Sequence, residues 1–277
     1  MTEVPEVELN TGSMMPMVGF GTWDLREKTT SSVANALDLG YTHIDAAEGY
    51  LNEDQVGKAL KGYDREDLFI TSKVLPGNLN YGSVVDACNR SLDKLGTPYL
   101  DLYLIHWPNL AISLRETLHA FKKLYDLGKV RNVGVSNFSI YELKIARRIS
   151  ETPISVNQVQ FHPWYHDEEL LSYCKEQGIQ LTAAAPFART AVFDDPLIVE
   201  LAKKYDKTPA QMVLRWSLQK GVVTVPRSSS REHIEENLQI FDFQLEDSAI
   251  KKIDEIPREQ GCDYEISLDD EVFGIPS

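Results

Sequence analysis

The stretch LDLYLIH at residues 100–106 is a short apolar run that ends in a polar residue, a pattern typical of a buried strand. Apolar residues at helical spacing follow over Ser113–Leu127. Gly128 comes next, where the left-handed end of a helix favours glycine. A second apolar run, VRNVGVS, then occupies residues 130–136. Two strands joined through a helix pair in parallel by a right-handed crossover, so this unit predicts an α/β fold.

The same alternation extends in both directions along the 277 residues. We predict strands at Val18–Thr22, Tyr41–Asp45, Leu68–Val74, Leu100–His106, Val130–Ser136, Ser155–Gln160, Gln180–Ala184 and Val222–Val225. Helical spacing predicts helices that include Ser31–Leu39, Tyr81–Leu95, Ser113–Leu127, Ile140–Ile149, Asp167–Gln177 and Pro209–Gln219. Ser139 precedes one of these helices and Glu142 adds a negative charge to its first turn.

An open doubly wound sheet and a closed (β/α)8 TIM barrel both fit this pattern. The count of eight strands favours the barrel, as does the absence of a GxGxxG turn after Val18–Thr22. Residues 5–18 predict an N-terminal β-hairpin around Asn10-Thr11-Gly12. We therefore expect one barrel domain over residues 1–277.

Composition excludes several classes of function. The net charge of −14 is poorly suited to nucleic acid or anionic lipid, because phosphates attract basic surfaces. The sparse, odd set of cysteines, Cys88, Cys174 and Cys262, argues against a disulfide framework and favours a reducing cytoplasm. We expect no secretory signal and no membrane span, since neither pattern occurs in the sequence. No cysteine has metal-ligand spacing, and we expect no metal.

Four polar residues fall at or just after the ends of consecutive predicted strands. Asp45 ends the second strand, Tyr50 lies on the loop that follows, Lys73 is near the end of the third strand, and His106 ends the fourth. Active residues of barrel enzymes gather at these carboxyl ends. The four side chains are therefore expected to point at one spot.

Together these residue types indicate general acid catalysis. A free tyrosine has a pKa near 10, and an adjacent lysine cation lowers it by favouring the phenolate. Asp45 would keep Lys73 charged, His106 would orient a carbonyl, and Tyr50 would protonate its oxygen. Each residue also has an ordinary structural role: a helix cap, a surface aromatic, a solvated strand end and a core histidine, respectively.

The sequence closely resembles the aldo-keto reductase superfamily over nearly its whole length. The resemblance is carried in order by GFGTW (19–23), HIDAAEGYLNEDQVGKAL (43–60), LFITSKV (68–74), LDLYLIHWP (100–108), GVSNF (134–138), NQVQFHP (157–163) and VPRSSSREHIEEN (225–237). It implies a (β/α)8 barrel whose bottom is closed by the hairpin. It also implies reduction of aldehydes, and of some ketones, with Asp45, Tyr50, Lys73 and His106 as the catalytic residues.

The resemblance further implies which residues hold a nicotinamide cofactor and the substrate. For the cofactor these are Gly21, Thr22, Asp45, Ser136, Asn137, Gln158, Ala184, Pro186, Phe187, Pro226, Arg227, Ser228, His233, Glu236 and Asn237. For the substrate they are Trp23, Tyr50, His106 and Trp107. The two tryptophans have the alternative role of plain core aromatics.

This sequence departs from the family pattern in the cofactor site. Ala184 stands where the family has a tyrosine that stacks on the nicotinamide, so that support is missing or comes from another aromatic such as Phe187. At the adenosine 2′-phosphate, Arg227 replaces a lysine and His233 replaces an arginine. Arg227 keeps a permanent charge, whereas an unperturbed histidine is mostly neutral near pH 7. We therefore expect NADP(H) as cofactor, with relaxed discrimination against NAD(H).

The expected partner is a small or medium-sized carbonyl compound, bound by a monomer. The short C-terminal tail, in which Phe273 is a candidate pocket residue, predicts an open and permissive site. A different class remains open: a protein that binds the nicotinamide cofactor without catalysis and reports its redox state to a partner. The intact set of four polar residues favours the reductase, since fold and cofactor binding alone do not fix function.

Overall fold

The computed structural model describes residues 4–257, and its first element is the predicted hairpin. Strand β1 is Glu6–Glu8 and strand β2 is Met14–Pro16, and the two pair antiparallel. Gly12 lies in the connecting turn with a φ of 84°, a left-handed conformation that glycine adopts without steric cost. The third cysteine, Cys262, and the predicted pocket residue Phe273 lie outside the described residues.

Eight parallel strands follow, and neighbours in sequence are neighbours in the sheet. They are β3 (Phe20–Gly21), β4 (His43–Asp45), β5 (Phe69–Val74), β6 (Leu100–Ile105), β7 (Val130–Ser136), β8 (Ile154–Gln160), β9 (Gln180–Ala184) and β10 (Val223–Thr224). Val18 pairs in parallel with Thr224, and the Gly19 amide donates to the Thr224 carbonyl at 2.9 Å. These contacts join the first strand to the last, so the sheet is a closed barrel.

Strand bounds differ most from the prediction at this seam and at β4, where the predicted Tyr41–Asp45 is reduced to His43–Asp45. The predicted strands Val130–Ser136 and Gln180–Ala184 are observed with the same bounds. By contrast, Val18–Thr22 is reduced to β3, and Val222–Val225 to β10. At the seam Val18 joins Thr224 by an isolated bridge, so the regular ladder there is short.

Helices connect the strands and surround the barrel. They are α1 (Thr29–Leu39), α2 (Glu53–Leu60), α3 (Tyr81–Leu95), α4 (Leu114–Asp126), α5 (Ile140–Ile149), α6 (Glu168–Glu176), α7 (Pro196–Tyr205), α8 (Pro209–Gln219), α9 (Arg231–Glu236) and α10 (Asp247–Asp254). The predicted cap of α5 is present: Ser139 and Glu142 each accept the other's backbone amide, at 3.3 and 2.8 Å. Among residues 4–257, no helix has both the length and the apolar character needed to cross a membrane.

The hairpin fills the amino end of the barrel. Leu9 and Met15 are buried there in one cluster with Phe69 and Val223, the first residues of β5 and β10. A second, larger cluster packs the outer faces of the strands against the helices. With apolar side chains closing the amino end, the polar residues that end the strands are concentrated at the opposite end.

Candidate active site

Asp45, Lys73 and Tyr50 form one hydrogen-bonded group at the carboxyl end of the barrel. Asp45 ends β4, Lys73 is the penultimate residue of β5, and Tyr50 ends a short 3-10 helix after β4. Lys73 Nζ donates to Asp45 Oδ1 at 2.6 Å, to the Ala46 carbonyl at 3.0 Å and to Tyr50 Oη at 3.1 Å. All three donor positions of the ammonium are thus used, which fixes the Tyr50 hydroxyl relative to a cation.

The charge of Lys73 is stabilised although its side chain is completely buried. Burial alone would lower the lysine pKa, but the attraction and hydrogen bonds of Asp45 and Tyr50 more than offset it, and the pKa is raised. The side chain therefore remains an ammonium at neutral pH. Its partner Asp45 is also nearly buried, with a side chain that is 4% exposed.

His106 follows β6 and lies beside Tyr50. The two rings are 5.6 Å apart between centroids and meet edge to face at 77°. Burial, together with the nearby Lys73 cation, holds the pKa of His106 well below its ordinary value. The imidazole is therefore neutral at physiological pH and carries a single N–H.

Ser136, Asn137 and Gln158, at the ends of β7 and β8, connect to this group. Gln158 Nε2 donates to Asp45 Oδ2 at 2.8 Å, so both carboxylate oxygens of Asp45 are hydrogen-bonded. Ser136 Oγ donates to the Gln158 carbonyl at 2.7 Å. Asn137 Nδ2 lies 3.0 Å from both the His106 carbonyl and Ser136 Oγ. The structure therefore brings these three predicted cofactor residues together with the four polar residues.

Gly21 and Thr22 place the end of β3 against the same group. The amide and hydroxyl of Thr22 both donate to the Asp45 carbonyl, at 3.1 and 2.9 Å. The Gly21 amide donates to the Pro226 carbonyl at 2.9 Å. A Cβ at Gly21 would lie 2.7 Å from the Val225 carbonyl oxygen, so glycine is needed for this close approach.

Trp23 lies at the rim of the site and is 38% exposed. The guanidinium of Arg227 lies 5.4 Å from the centroid of its ring, and that of Arg189 lies 5.8 Å away. Both distances are within cation–π range. Trp107, which directly follows His106, is half-buried. Neither tryptophan is a fully buried core aromatic.

The residues predicted to hold the 2′-phosphate and adenine lie on the β10–α9 segment. Arg227 and His233 are exposed, and Ser228 Oγ accepts the Ser230 amide at 3.1 Å. Glu236 accepts a hydrogen bond from the Thr208 hydroxyl. Asn237 is buried at the end of α9. This segment is joined to the first group by the hydrogen bond from Gly21 to Pro226 and by the contact of Arg227 with Trp23.

The backbone is unusual after β9, where Ala184 and Phe187 lie. Ala185, Ala188 and Arg189 all have positive φ angles, between 45° and 56°. Such angles are strained for residues with a Cβ and persist only where surrounding contacts hold them. Pro186 is buried, and the half-buried Phe187 ring packs against Phe193 at 5.0 Å between centroids.

Sequence reasoning missed three residues around the site. Glu48 is buried under the Tyr50 turn, Asn52 Nδ2 donates to the Thr22 carbonyl at 2.8 Å, and Arg189 contacts Trp23. Glu48 and Asn52 lie inside the quoted motif HIDAAEGYLN, and that position was the available signal.

Within residues 4–257, one group of His and carboxylate side chains has the spacing of metal ligands: His166, Glu168 and Asp254. Lys220 Nζ lies 2.6 Å from Glu168 and 2.9 Å from Asp254. The lysine ammonium thus already bonds to both carboxylates and offsets one of their two negative charges. This group contains none of the predicted site residues.

A closed parallel barrel that carries Asp, Tyr, Lys and His side chains around one point at its carboxyl end has the arrangement typical of barrel enzymes. Comparison with known proteins gives the family. The Aldo/keto reductase family model matches residues 17–258. The chain belongs to the aldo/keto reductase family.

Individual members of the family are similar to this chain over most of their length. The chain is 42% identical to glyoxal reductase of Bacillus subtilis (strain 168) over 258 residues, covering 92% of this chain and 93% of that protein. An aldo-keto reductase from a Medee basin deep-sea metagenome library is 37% identical, with a TM-score of 0.89 and coverage of 91% and 95%. The Bombyx mori aldo-keto reductase in complex with NADP is 30% identical, with a TM-score of 0.91 and coverage of 98% of each chain.

Proposed function

We propose that this chain reduces aldehydes to alcohols with NADPH, and that Tyr50 is the general acid. One observation carries the proposal: a fully buried Lys73 ammonium, paired with Asp45, donates to the Tyr50 hydroxyl at 3.1 Å. An ordinary tyrosine gives up its proton only near pH 10. A cation held beside the oxygen stabilises the phenolate and makes the phenol a stronger acid.

The chain's own residues would then divide the work. Tyr50 Oη holds the proton and transfers it to the carbonyl oxygen of the substrate. Negative charge develops on Oη as the proton leaves, and Lys73 stabilises that charge. Asp45 keeps Lys73 protonated and in place. The neutral His106 donates its N–H to the carbonyl oxygen and so orients the substrate, a role that a neutral imidazole beside Tyr50 suits.

The cofactor residues have donor chemistry that fits a nicotinamide dinucleotide. A hydroxyl and two amides, from Ser136, Asn137 and Gln158, converge beside Asp45 and suit the nicotinamide carboxamide. The exposed Arg227 guanidinium suits a phosphate. When bound, the reduced cofactor supplies the hydride that adds to the carbonyl carbon. The Bombyx mori neighbour was solved with NADP, which supports the phosphorylated form.

His233 in place of a permanent cation supports some use of NADH as well. The remaining residues of the proposed cofactor site are Gly21, Thr22, Ala184, Pro186, Phe187, Pro226, Ser228, Glu236 and Asn237. Trp23 and Trp107 would line the substrate pocket beside Tyr50 and His106.

Small and medium-sized aldehydes are the proposed substrates, and we extend the proposal to some ketones. The 42% identical relative named glyoxal reductase supports this class. We further propose a cytoplasmic monomer that binds neither membranes nor nucleic acid, in keeping with the net charge of −14. Size-exclusion chromatography with light scattering tests whether the chain is a monomer. A binding assay with duplex DNA over a range of salt concentrations tests that it binds no nucleic acid.

The test is the rate of NADPH oxidation with glyoxal and with a nitrobenzaldehyde, for the wild type and for Tyr50→Phe. We expect turnover by the wild type and a loss of about 10²–10⁴-fold in the variant, the usual contribution of a general acid. Equal rates in the two proteins would show that Tyr50 is not the general acid. Cofactor binding without turnover of any carbonyl would favour the redox-sensor alternative.

A further inference from the structure

Glu48 is a buried carboxylate two residues before Tyr50, and its side chain is only 11% exposed. Both of its oxygens are used. Oε2 accepts the Leu75 amide at 3.1 Å, Oε1 accepts Arg90 at 3.0 Å, and Asn78 Nδ2 lies 3.0 and 3.1 Å from the two oxygens. A carboxylate removed from water is stable only with such partners, so the site is built around its charge.

Two of the three donors to Glu48 come from the segment directly after Lys73, and the third comes from α3. Leu75 lies two residues after Lys73, Asn78 ends the next short 3-10 helix, and Arg90 is in α3. Glu48 itself begins the short 3-10 helix that ends at Tyr50. The carboxylate therefore ties the turn that bears Tyr50 to the segment that extends β5 beyond Lys73.

Packing at Gly49 shows how close these two segments lie. A Cβ at Gly49 would be 2.8 Å from Leu75 Cδ2 and 3.9 Å from His106 Cε1. The turn thus lies against both the Leu75 side chain and the His106 ring. The Tyr50 amide donates to the Ala47 carbonyl within the same turn, so this hydrogen bond does not attach the turn to β5.

We propose that Glu48 is a positioning residue for the reaction: its carboxylate holds the Tyr50 turn on the segment after Lys73 and so sets the distance from the Tyr50 hydroxyl to the Lys73 ammonium. This inference rests on the proposed function, because it assigns Glu48 a part in placing the proposed acid. Glu48 does not touch the hydroxyl itself and acts through the Leu75 and Asn78 contacts.

Replacement of Glu48 acts on these contacts in graded steps. Glu48→Ala removes every acceptor. Glu48→Gln keeps one acceptor oxygen but turns an NH2 group toward the Asn78 amide and the Leu75 amide, which are donors. Asn78→Ala leaves the carboxylate with Leu75 and Arg90 and is the mildest change. We expect kcat to fall most in Glu48→Ala, less in Glu48→Gln and least in Asn78→Ala.

The matched control is Asp101→Asn. Asp101, on β6, is also a buried carboxylate that accepts an arginine, Arg65 at 2.5 Å, and a backbone amide of β5, Ile70 at 2.9 Å. It lies near the amino end of β6, away from the residues that end the strands. Its replacement should lower stability in the same way without moving Tyr50.

The experiment measures kcat with saturating NADPH and aldehyde, the pH profile of kcat, the Kd of NADPH by fluorescence, and thermal stability. For Glu48→Ala and Glu48→Gln we expect kcat to fall about 10–100-fold, the scale of a small misplacement of a reacting group, with Kd changed less than twofold. The pKa seen in the pH profile of kcat should rise, since a hydroxyl farther from an ammonium is a weaker acid. If Glu48 had a purely structural role, its replacement would leave the pH profile of kcat unshifted.

Two results would overturn the inference. One is a kcat within twofold of wild type and an unshifted pH profile in the folded Glu48→Gln and Asn78→Ala variants. The other is that Asp101→Asn, at a loss of thermal stability equal to that of the Glu48 variants, shows the same fall in kcat and the same shift of the pH profile as they do. A wild type that reduces no carbonyl would contradict the proposed function first and this inference with it, whereas an active wild type with unaffected variants contradicts this inference alone.

Discussion

The Lys73 ammonium and the Asp45 carboxylate form an ion pair inside the barrel, with Nζ 2.6 Å from Oδ1 and side chains that are 0% and 4% exposed. A charge buried to this degree depends on its partner, because water cannot reach it to compensate. The pair therefore holds the Tyr50 hydroxyl beside a cation. Each buried charge also needs the other, because neither is stable inside the barrel without its partner.

The two single replacements in this pair should together cost more stability than the double replacement. We expect Lys73→Met and Asp45→Asn each to lower the free energy of unfolding by about 3–5 kcal/mol, since each leaves a polar partner buried and uncompensated. The double variant should lose clearly less than the sum, which urea denaturation of all four proteins measures. The exposed pair Lys58–Asp54, at 3.3 Å, is the control, with an expected coupling of about 0.5 kcal/mol or less. Additive losses at Lys73 and Asp45 would contradict the buried coupling.

Burial of His43 should make the stability depend on pH. This residue starts β4, its Nε2 lies 3.1 Å from Thr71 Oγ1, and burial lowers its pKa to about 4. The unfolded chain binds a proton at this residue below about pH 6.5 and the folded chain does not, so stability falls as pH falls from 6.5 toward 4. We expect His43 to contribute a slope of up to about 1.4 kcal/mol per pH unit.

Chemical denaturation at several pH values in that window measures the slope. The variant His43→Gln should lose this contribution, while His119→Gln, at a largely exposed histidine, should keep the wild-type slope. An unchanged slope in His43→Gln would mean that His43 is protonated in the folded protein.

The position of Ala184 at the end of β9 offers a test of the cofactor site. We expect Ala184→Tyr to tighten NADPH binding about 2–10-fold, because a ring there would stack on the nicotinamide and an aromatic contact contributes about 0.5–1.5 kcal/mol. Fluorescence titration gives the Kd. The control Ala191→Tyr adds the same ring at an exposed position of the following segment and should leave the Kd unchanged. Weaker binding in Ala184→Tyr would indicate that another group, such as Phe187, already fills the position.

The exposed His233 sets the expected cofactor preference. The wild type should favour NADPH over NADH by less than about a thousandfold, and His233→Arg should raise the ratio of kcat/KM values about tenfold or more through one added charge-assisted contact. Gln239→Arg adds the same charge at an exposed position just beyond α9 and is the control. A ratio unchanged in His233→Arg, or raised equally in both variants, would show that position 233 does not contact the phosphate.

Sequence patterns located the residues whose placement follows from strand ends. Asp45 ends β4, Lys73 is the penultimate residue of β5, and His106 directly follows β6. Because these strands neighbour each other, parallel pairing alone brings the three residues together. Glu48 could not be found in this way, because its burial depends on Leu75, Asn78 and Arg90, which belong to other elements. A charged residue in a loop is ordinarily solvated, and only the packing of separate segments shows otherwise.

The exact bounds of the strands at the barrel seam could not be predicted from local sequence patterns either. β3 and β10 are each two residues long, too short for alternation or propensity to define their ends. Their pairing is set by closure of the whole sheet through Val18 and Thr224. Long strands such as β7, by contrast, carry enough apolar residues to be found from sequence alone.

Gly57 in α2 should tolerate no side chain. A Cβ at this position would lie 2.3 Å from the Lys94 carbonyl oxygen and 2.8 Å from the Leu95 carbonyl carbon, and both are backbone atoms that cannot rotate away. α2 and α3 would have to separate, and overpacking of this kind costs about 1–3 kcal/mol or more. Gly82 in α3 is the matched control, because a Cβ there meets no atom within 4 Å. Since alanine favours a helix over glycine by about 1 kcal/mol, Gly82→Ala should raise the melting temperature and Gly57→Ala should lower it. Calorimetry of the two variants decides the point, and a stabilised Gly57→Ala protein would mean that the two helices lie farther apart than in this structure.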